Sequence, residues 1–112
     1  MARLHEYQGK ALLKKFSIPV PAGGPARTPG EARSLAEQIG KPVVVKAQAW
    51  VTGRAGLGGI KFADTPAEAE AAASQILGLQ IKNFVVDTVM VEEKLAGTRE
   101  FCAGIIIDDR TQ

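Results

Sequence analysis

The stretch Pro42–Lys61, PVVVKAQAWVTGRAGLGGIK, decides how the rest of the chain is read. Val43, Val44 and Val45 form a β-branched run, which suits a strand covered on both faces. Lys46 follows directly. An ammonium group at the end of an apolar strand needs either an anion to meet or a stem that snorkels to water. Gly53, Gly56, Gly58 and Gly59 come next, with Arg54 among them. Glycines lack the Cβ that blocks backbone N–H groups from converging on an anion. Such a loop also serves as a plain hairpin connection. The chain re-enters a strand at Gly59-Ile60-Lys61. Strand, lysine and glycine–arginine loop together suggest a site for a nucleoside triphosphate.

Other phosphate signatures are missing. Gly58-Gly59 is followed by Ile60 rather than by the Gly-Lys-Ser/Thr ending of a Walker A loop. Gly56 and Gly58 fit a GxGxxG fingerprint, but Lys61 stands where its last glycine belongs. With one histidine and one cysteine, a metal cluster is not expected, and a Ser-His-Asp triad lacks a nucleophile elbow. Trp50 reads either as core or as a lid on a ligand. Glu92, Glu93 and Glu100 read either as solvated carboxylates or as part of the site. His5 reads as a surface or capping residue.

Outward from the central stretch, apolar spacing predicts a helix over His5–Phe16, with Leu4, Tyr7, Ala11 and Leu12 on one face. Ser17-Ile18-Pro19-Val20-Pro21 ends it, and Val20–Ala26 is expected to be extended, at an edge or partly loop. Thr28-Pro29-Gly30-Glu31 is a capping signal. The helix it opens directs Ala32, Leu35, Ala36 and Ile39 inward and stops at Gly40. Thr65-Pro66-Ala67-Glu68 repeats the signal, for a helix with Ala69, Ala72, Ala73, Ile76 and Leu77 inward. This is ordinary cap chemistry rather than a mark of duplication. A strand is expected over Val85–Glu92, alternating around Val85, Val89 and Val91, and another over Arg99–Ile107. The order α, β, α, β, β, α, β, β predicts an α/β (α+β) fold with helices on one face of a mixed or antiparallel sheet.

At 112 residues the chain suits one domain, residues 1–112. Lys plus Arg number 14 against 12 acidic residues, too balanced to argue for nucleic acid or an anionic membrane as partner. The lone Cys102 fits a reducing cytoplasm. No apolar run reaches the roughly 18 residues of a membrane span, and MARLHEYQGK lacks the apolar region of a signal peptide. The last strand is followed by Asp108-Asp109-Arg110-Thr111-Gln112, where a hairpin would return. The chain is therefore expected to be part of a longer protein.

Five segments together resemble succinyl-CoA synthetase β subunits: LHEYQGKALL at the start, Ile18-Pro19-Val20-Pro21, VVVKAQ with Lys46, Gly53-Arg54 through Gly58-Gly59-Ile60-Lys61, and VEE with REF between 91 and 101. More broadly they are similar to ADP-forming ATP-grasp acid–CoA ligases, including malate- and citrate-CoA ligases and ATP-citrate lyase. The resemblance covers nearly the whole chain, and the HEYQ start combined with VVKAQ is its most specific part.

The resemblance implies the first ATP-grasp subdomain of a larger β subunit. It implies phosphoryl transfer from ATP to a histidine of a partner α subunit, then activation of a carboxylate such as succinate and its capture by CoA. Lys46 matches the family lysine on the nucleotide phosphates, and Gly53, Arg54 and Ala55 match the phosphate loop. Glu92 and Leu95 stand where backbone groups meet adenine, and Glu100 matches the ribose-binding carboxylate. The Mg²⁺ ligands and the phosphorylated histidine are expected outside this chain, which by itself should be inert. Pro21 stands where GTP-preferring members tend to carry a polar residue, so ATP is favoured. The family loop Gly-Gly-Arg-Gly-Lys-Ala-Gly-Gly is here Thr52-Gly53-Arg54-Ala55-Gly56-Leu57-Gly58-Gly59, without its lysine. Trp50 replaces a histidine common in succinate enzymes, leaving a related carboxylate open. A stand-alone nucleotide-binding module is the remaining alternative.

Overall fold

The computed structural model describes residues 4–49, 58–81 and 84–95. The first helix, α1, spans Glu6–Lys15. His5 is its N-cap, and the His5 N–H donates to Gln8 Oε1 at 2.8 Å. At the other end, the Ser17 N–H donates to the Lys14 carbonyl and the Ile18 N–H to the Leu13 carbonyl. This is a Schellman closure, with Ser17 at φ 62° in the position usually held by glycine.

Strand β1 (Gly23–Ala26) leads to α2 (Pro29–Ile39), whose N-cap Thr28 accepts from the Glu31 N–H at 3.1 Å. Gly40, at φ 68°, closes α2. Strand β2 (Val43–Ala47) and strand β3 (Ile60–Ala63) follow, then α3 (Pro66–Ile76), capped in the same way by Thr65 with the Glu68 N–H at 3.2 Å. Short strands β4 (Gln80–Ile81) and β5 (Phe84–Val85) pair with each other. Strand β6 (Val89–Glu93) returns to the main sheet.

That sheet has the order β1-β6-β2-β3, antiparallel throughout. Side chains alternate across a strand, so Val43, Val45 and Ala47 of β2 join Val89 and Val91 of β6 in the core beneath α2 and α3. Ala32 and Ala36 of α2, and Ala69, Ala72, Ala73 and Ile76 of α3, fill the other half of that core. Leu35, Ile39 and Leu77 pack at its margin. The many alanines let helix and sheet backbones approach closely. The alternate residues Val44, Lys46, Met90 and Glu92 face the opposite way, toward α1.

Three expectations change. First, α1 does not bury its apolar face: Leu4, Ala11 and Leu12 are exposed, and no α1 residue is buried. The helix meets the domain through polar groups, on the sheet face opposite α2 and α3. Second, the single strand over Val85–Glu92 is two. The Gly78 N–H donates to the Val86 carbonyl and the Val86 N–H to the Leu79 carbonyl, both at 2.8 Å. Those bonds tie residues 84–86 into a local hairpin before β6 begins. Third, Val85 is therefore exposed and Val86 takes the buried place. The expected strand Arg99–Ile107 lies outside the described residues. Among the described residues, no helix is long and apolar enough to cross a membrane.

Candidate functional site

Lys46 stands near the end of β2 between two antiparallel neighbours, in register with Met90 of β6 and Ile60 of β3. On β6, Glu92 is in register with Val44, two residues back from Lys46. Residues so placed lie diagonally on one sheet face, within reach of long side chains. The Lys46 Nζ donates to Glu92 Oε1 at 2.5 Å. It also donates to Glu6 Oε1, on α1, at 3.0 Å. Lys10, one helical turn beyond Glu6, donates to Glu92 Oε2 and forms an ion pair with Glu6 at 3.2 Å. Four side chains thus close a ring in which each cation lies between two carboxylates.

The ring explains how Glu92 is tolerated where it is. Its side chain is only 4% exposed, and a buried carboxylate without partners would be strongly unfavourable. Charge-assisted bonds from two lysines compensate it. Burial pushes the Lys46 ammonium toward a lower pKa, but hydrogen bonds and charge from Glu92 and Glu6 outweigh it. The net shift is upward from the ordinary lysine value.

Gly23 allows β1 to approach this point. A Cβ there would lie 2.2 Å from the Val91 carbonyl oxygen and 2.7 Å from the Glu92 Cα. Beyond β2, the Gln48 N–H donates to the Thr88 carbonyl at 3.0 Å. The buried Gln48 side chain accepts from the Tyr7 N–H at 3.1 Å, so the first turn of α1 is pinned beside Lys46.

Lys46 and Glu92 form part of the wall of a groove of about 760 Å³. Its apolar lining comes from Pro21, Val44, Ile60, Phe62 and Leu95, and its charged lining includes Lys10 and Lys94. Lys94 Nζ lies 4.9 Å from the Phe62 ring centroid, a cation–π contact at the rim. Apolar walls with a few convergent charges suit a planar base carrying an anionic tail. Among the described residues, no group of three or more His, Cys, Asp or Glu side chains could hold a metal ion.

Of the residues singled out in the sequence, Pro21, Lys46, Glu92, Glu93 and Leu95 come together on this groove. Gly53, Arg54, Ala55 and Glu100 lie outside the described residues, as does Trp50. Glu92, read from the sequence for its backbone, also holds two lysines with its side chain. Glu6, Lys10 and Gln48 went unnoticed as site residues. A signal was present for two of them: Glu6 and Lys10 are four apart, on one helix face, within the same opening segment that carries the resemblance.

Known proteins resemble this chain in sequence and in fold. A succinate–CoA ligase [ADP-forming] β subunit of Roseiflexus sp. (strain RS-1) is 54% identical over 106 residues, 95% of this chain and 28% of the relative. The succinate–CoA ligase [GDP-forming] β subunit of Thermus thermophilus is 50% identical over 105 residues, 94% of this chain and 28% of the relative. The chain thus spans little more than a quarter of the length of these relatives. A solved dinucleotide forming acetyl-coenzyme A synthetase of Ca. Korarchaeum cryptofilum, in complex with coenzyme A, Ca-AMPCP and HgCl+, matches with a TM-score of 0.72 at 25% identity. That match covers 84% of this chain and 43% of the other. The model of the ATP-grasp domain matches residues 3–112, and this chain belongs to that family.

Proposed function

We propose that this chain is the nucleotide-binding portion of an acid–CoA ligase β subunit that uses ATP to join succinate to CoA. The observation that carries the reading is the Lys46 ammonium on a groove with apolar walls. The likeness to succinate–CoA ligase β subunits supplies the reaction. In this reading Lys46 binds the nucleotide phosphates together with the Gly53-Arg54-Ala55 loop. The Glu92 and Leu95 backbones meet the base, and Glu100 accepts from the ribose hydroxyls. ATP supplies the phosphoryl group that activates the carboxylate, by way of a histidine on an α subunit. Mg²⁺ is held by residues outside this chain. The complete enzyme works in the cytoplasm.

The test uses the assembled two-subunit enzyme. Lys46→Ala should lower nucleotide-dependent phosphorylation of the α subunit by about 10- to 1000-fold, the scale of losing a charged contact in a dry site. Unchanged phosphorylation would remove Lys46 from the site. A relative half identical to this chain is named GDP-forming, so the same assay is run with ATP and GTP, and ATP is expected to be the better substrate. A panel of dicarboxylates identifies the acid, and succinate is expected to be preferred.

A further inference from the structure

Helix α1 contributes no buried side chain, yet two of its residues complete the ring around Lys46 and Glu92. Glu6 is the unexpected member. It places a carboxylate 3.0 Å from a lysine on the groove proposed to bind polyphosphate. Considered alone, that charge should repel the ligand. Within the ring it is balanced, since Lys10 and Lys46 offset Glu6 and Glu92 charge for charge.

We propose that Glu6 is a positioning residue for the nucleotide site: it holds the Lys46 ammonium between α1 and β6, and α1 thereby sets where the phosphate-binding cation stands. The inference rests on the nucleotide reading above. Its physical basis is the number of donors. An ammonium has three N–H groups. Among the described residues, Glu6 and Glu92 take two of them, which leaves the third to meet an incoming oxygen. A flexible lysine stem that is already held loses less side-chain freedom when the ligand arrives. The same bond keeps Lys46 charged in a half-buried setting.

The test is a double-mutant cycle in the assembled two-subunit enzyme, with ATP dissociation constants measured by titration calorimetry. Glu6→Gln is expected to weaken ATP about 10-fold, the scale of losing one charge-assisted bond. In a Lys46→Met background the same change is expected to have little further effect, because Glu6 acts through Lys46. Glu6→Asp should recover part of the affinity. Among the described residues, the charged groups around Lys46 are Glu6 and Lys10 from α1, Glu92 and Glu93 from β6, and Lys94 after it. With Glu6 removed, the alkaline loss of ATP affinity should begin at lower pH.

Tighter ATP binding by Glu6→Gln would make Glu6 a competitor for Lys46 and overturn the proposal. So would equal losses in the presence and absence of Lys46, the pattern of a merely structural role. If Glu6→Gln impairs assembly, Glu6→Asp carried through the same cycle gives the same reading. If Lys46→Met leaves ATP affinity unchanged, the nucleotide reading itself fails. If Lys46→Met is impaired and Glu6→Gln is not, only the positioning role fails.

Discussion

Tyr7 and Gln48 are joined by a hydrogen bond across 41 residues of sequence, from the Tyr7 backbone N–H to the Gln48 side-chain oxygen at 3.1 Å. The bond connects the HEYQ opening to the end of the VVVKAQ strand. Together with the Glu6–Lys46 contact, it shows why those two segments matter as a pair: they touch. A helix with no buried side chain is held beside the groove by these polar bonds.

Replacing Gln48 by Met should therefore release α1 before the rest of the domain. The buried amide oxygen is lost and the Tyr7 N–H must find water. The expected loss is about 1 kcal/mol, concentrated in α1. Hydrogen exchange followed by mass spectrometry should show faster exchange over residues 6–15, with β2 and β6 unchanged. Uniform loss of protection would show that α1 is part of the global unit.

Gly23→Ala should be far more damaging than an alanine usually is. Its Cβ would meet the Val91 carbonyl at 2.2 Å and the Glu92 Cα at 2.7 Å, both backbone atoms. Strands β1 and β6 must separate, and Glu92 moves with them. A loss of about 2–4 kcal/mol is expected from a clash of this kind. Urea unfolding of the β subunit measures it, and a value within 0.5 kcal/mol of wild type, the range of an ordinary surface change, would contradict the geometry.

Ser17→Gly should stabilise. Ser17 closes α1 at φ 62°, where a Cβ is unfavourable and glycine is not. Glycine's greater freedom in the unfolded chain offsets part of the gain. The net expectation is about 0.5–1 kcal/mol, seen as a higher denaturant midpoint for α1. A decrease would mean that the serine hydroxyl makes a contact worth more than the backbone strain.

Lys46 should carry a stability term that disappears in alkali. Its folded-state pKa is raised above the ordinary 10.5. A raised pKa means that the folded state binds the proton more tightly than the unfolded chain does. The stabilisation is therefore complete below the unfolded value and is lost as pH rises through the folded one. Comparing wild type with Lys46→Met isolates the effect from other lysines. Their difference in unfolding free energy should be constant from pH 7 to about 9 and change only above about 10.5. A difference that changed between pH 5 and 8 would point to another group.

Much of the fold was legible in the residues. Thr28 and Thr65 with their prolines and glutamates marked two helix starts, because capping is satisfied within four residues. Val43 to Val45 marked a central strand, and Lys46 near its end lines the groove. Reading failed where partners beyond the reach of periodicity and capping decided the outcome. Val85 and Val86 exchanged places because the backbone of Val86 bonds to Gly78 and Leu79. The apolar spacing of α1 suggested a buried face, but the sheet meets that helix through Glu6, Tyr7 and Lys10 instead.

Periodicity, capping and the valine–lysine junction belong to the sequence itself, since each depends on neighbours a few bonds away. The ring of Glu6, Lys46, Glu92 and Lys10 belongs to the tertiary structure. Its members come from α1, β2 and β6, and its geometry arises only once β6 has paired with β2 and Gln48 has caught the first turn of α1. A one-dimensional pattern shows which charges exist. Which of them neutralise one another depends on strand register and helix placement, and those are settled by long-range packing.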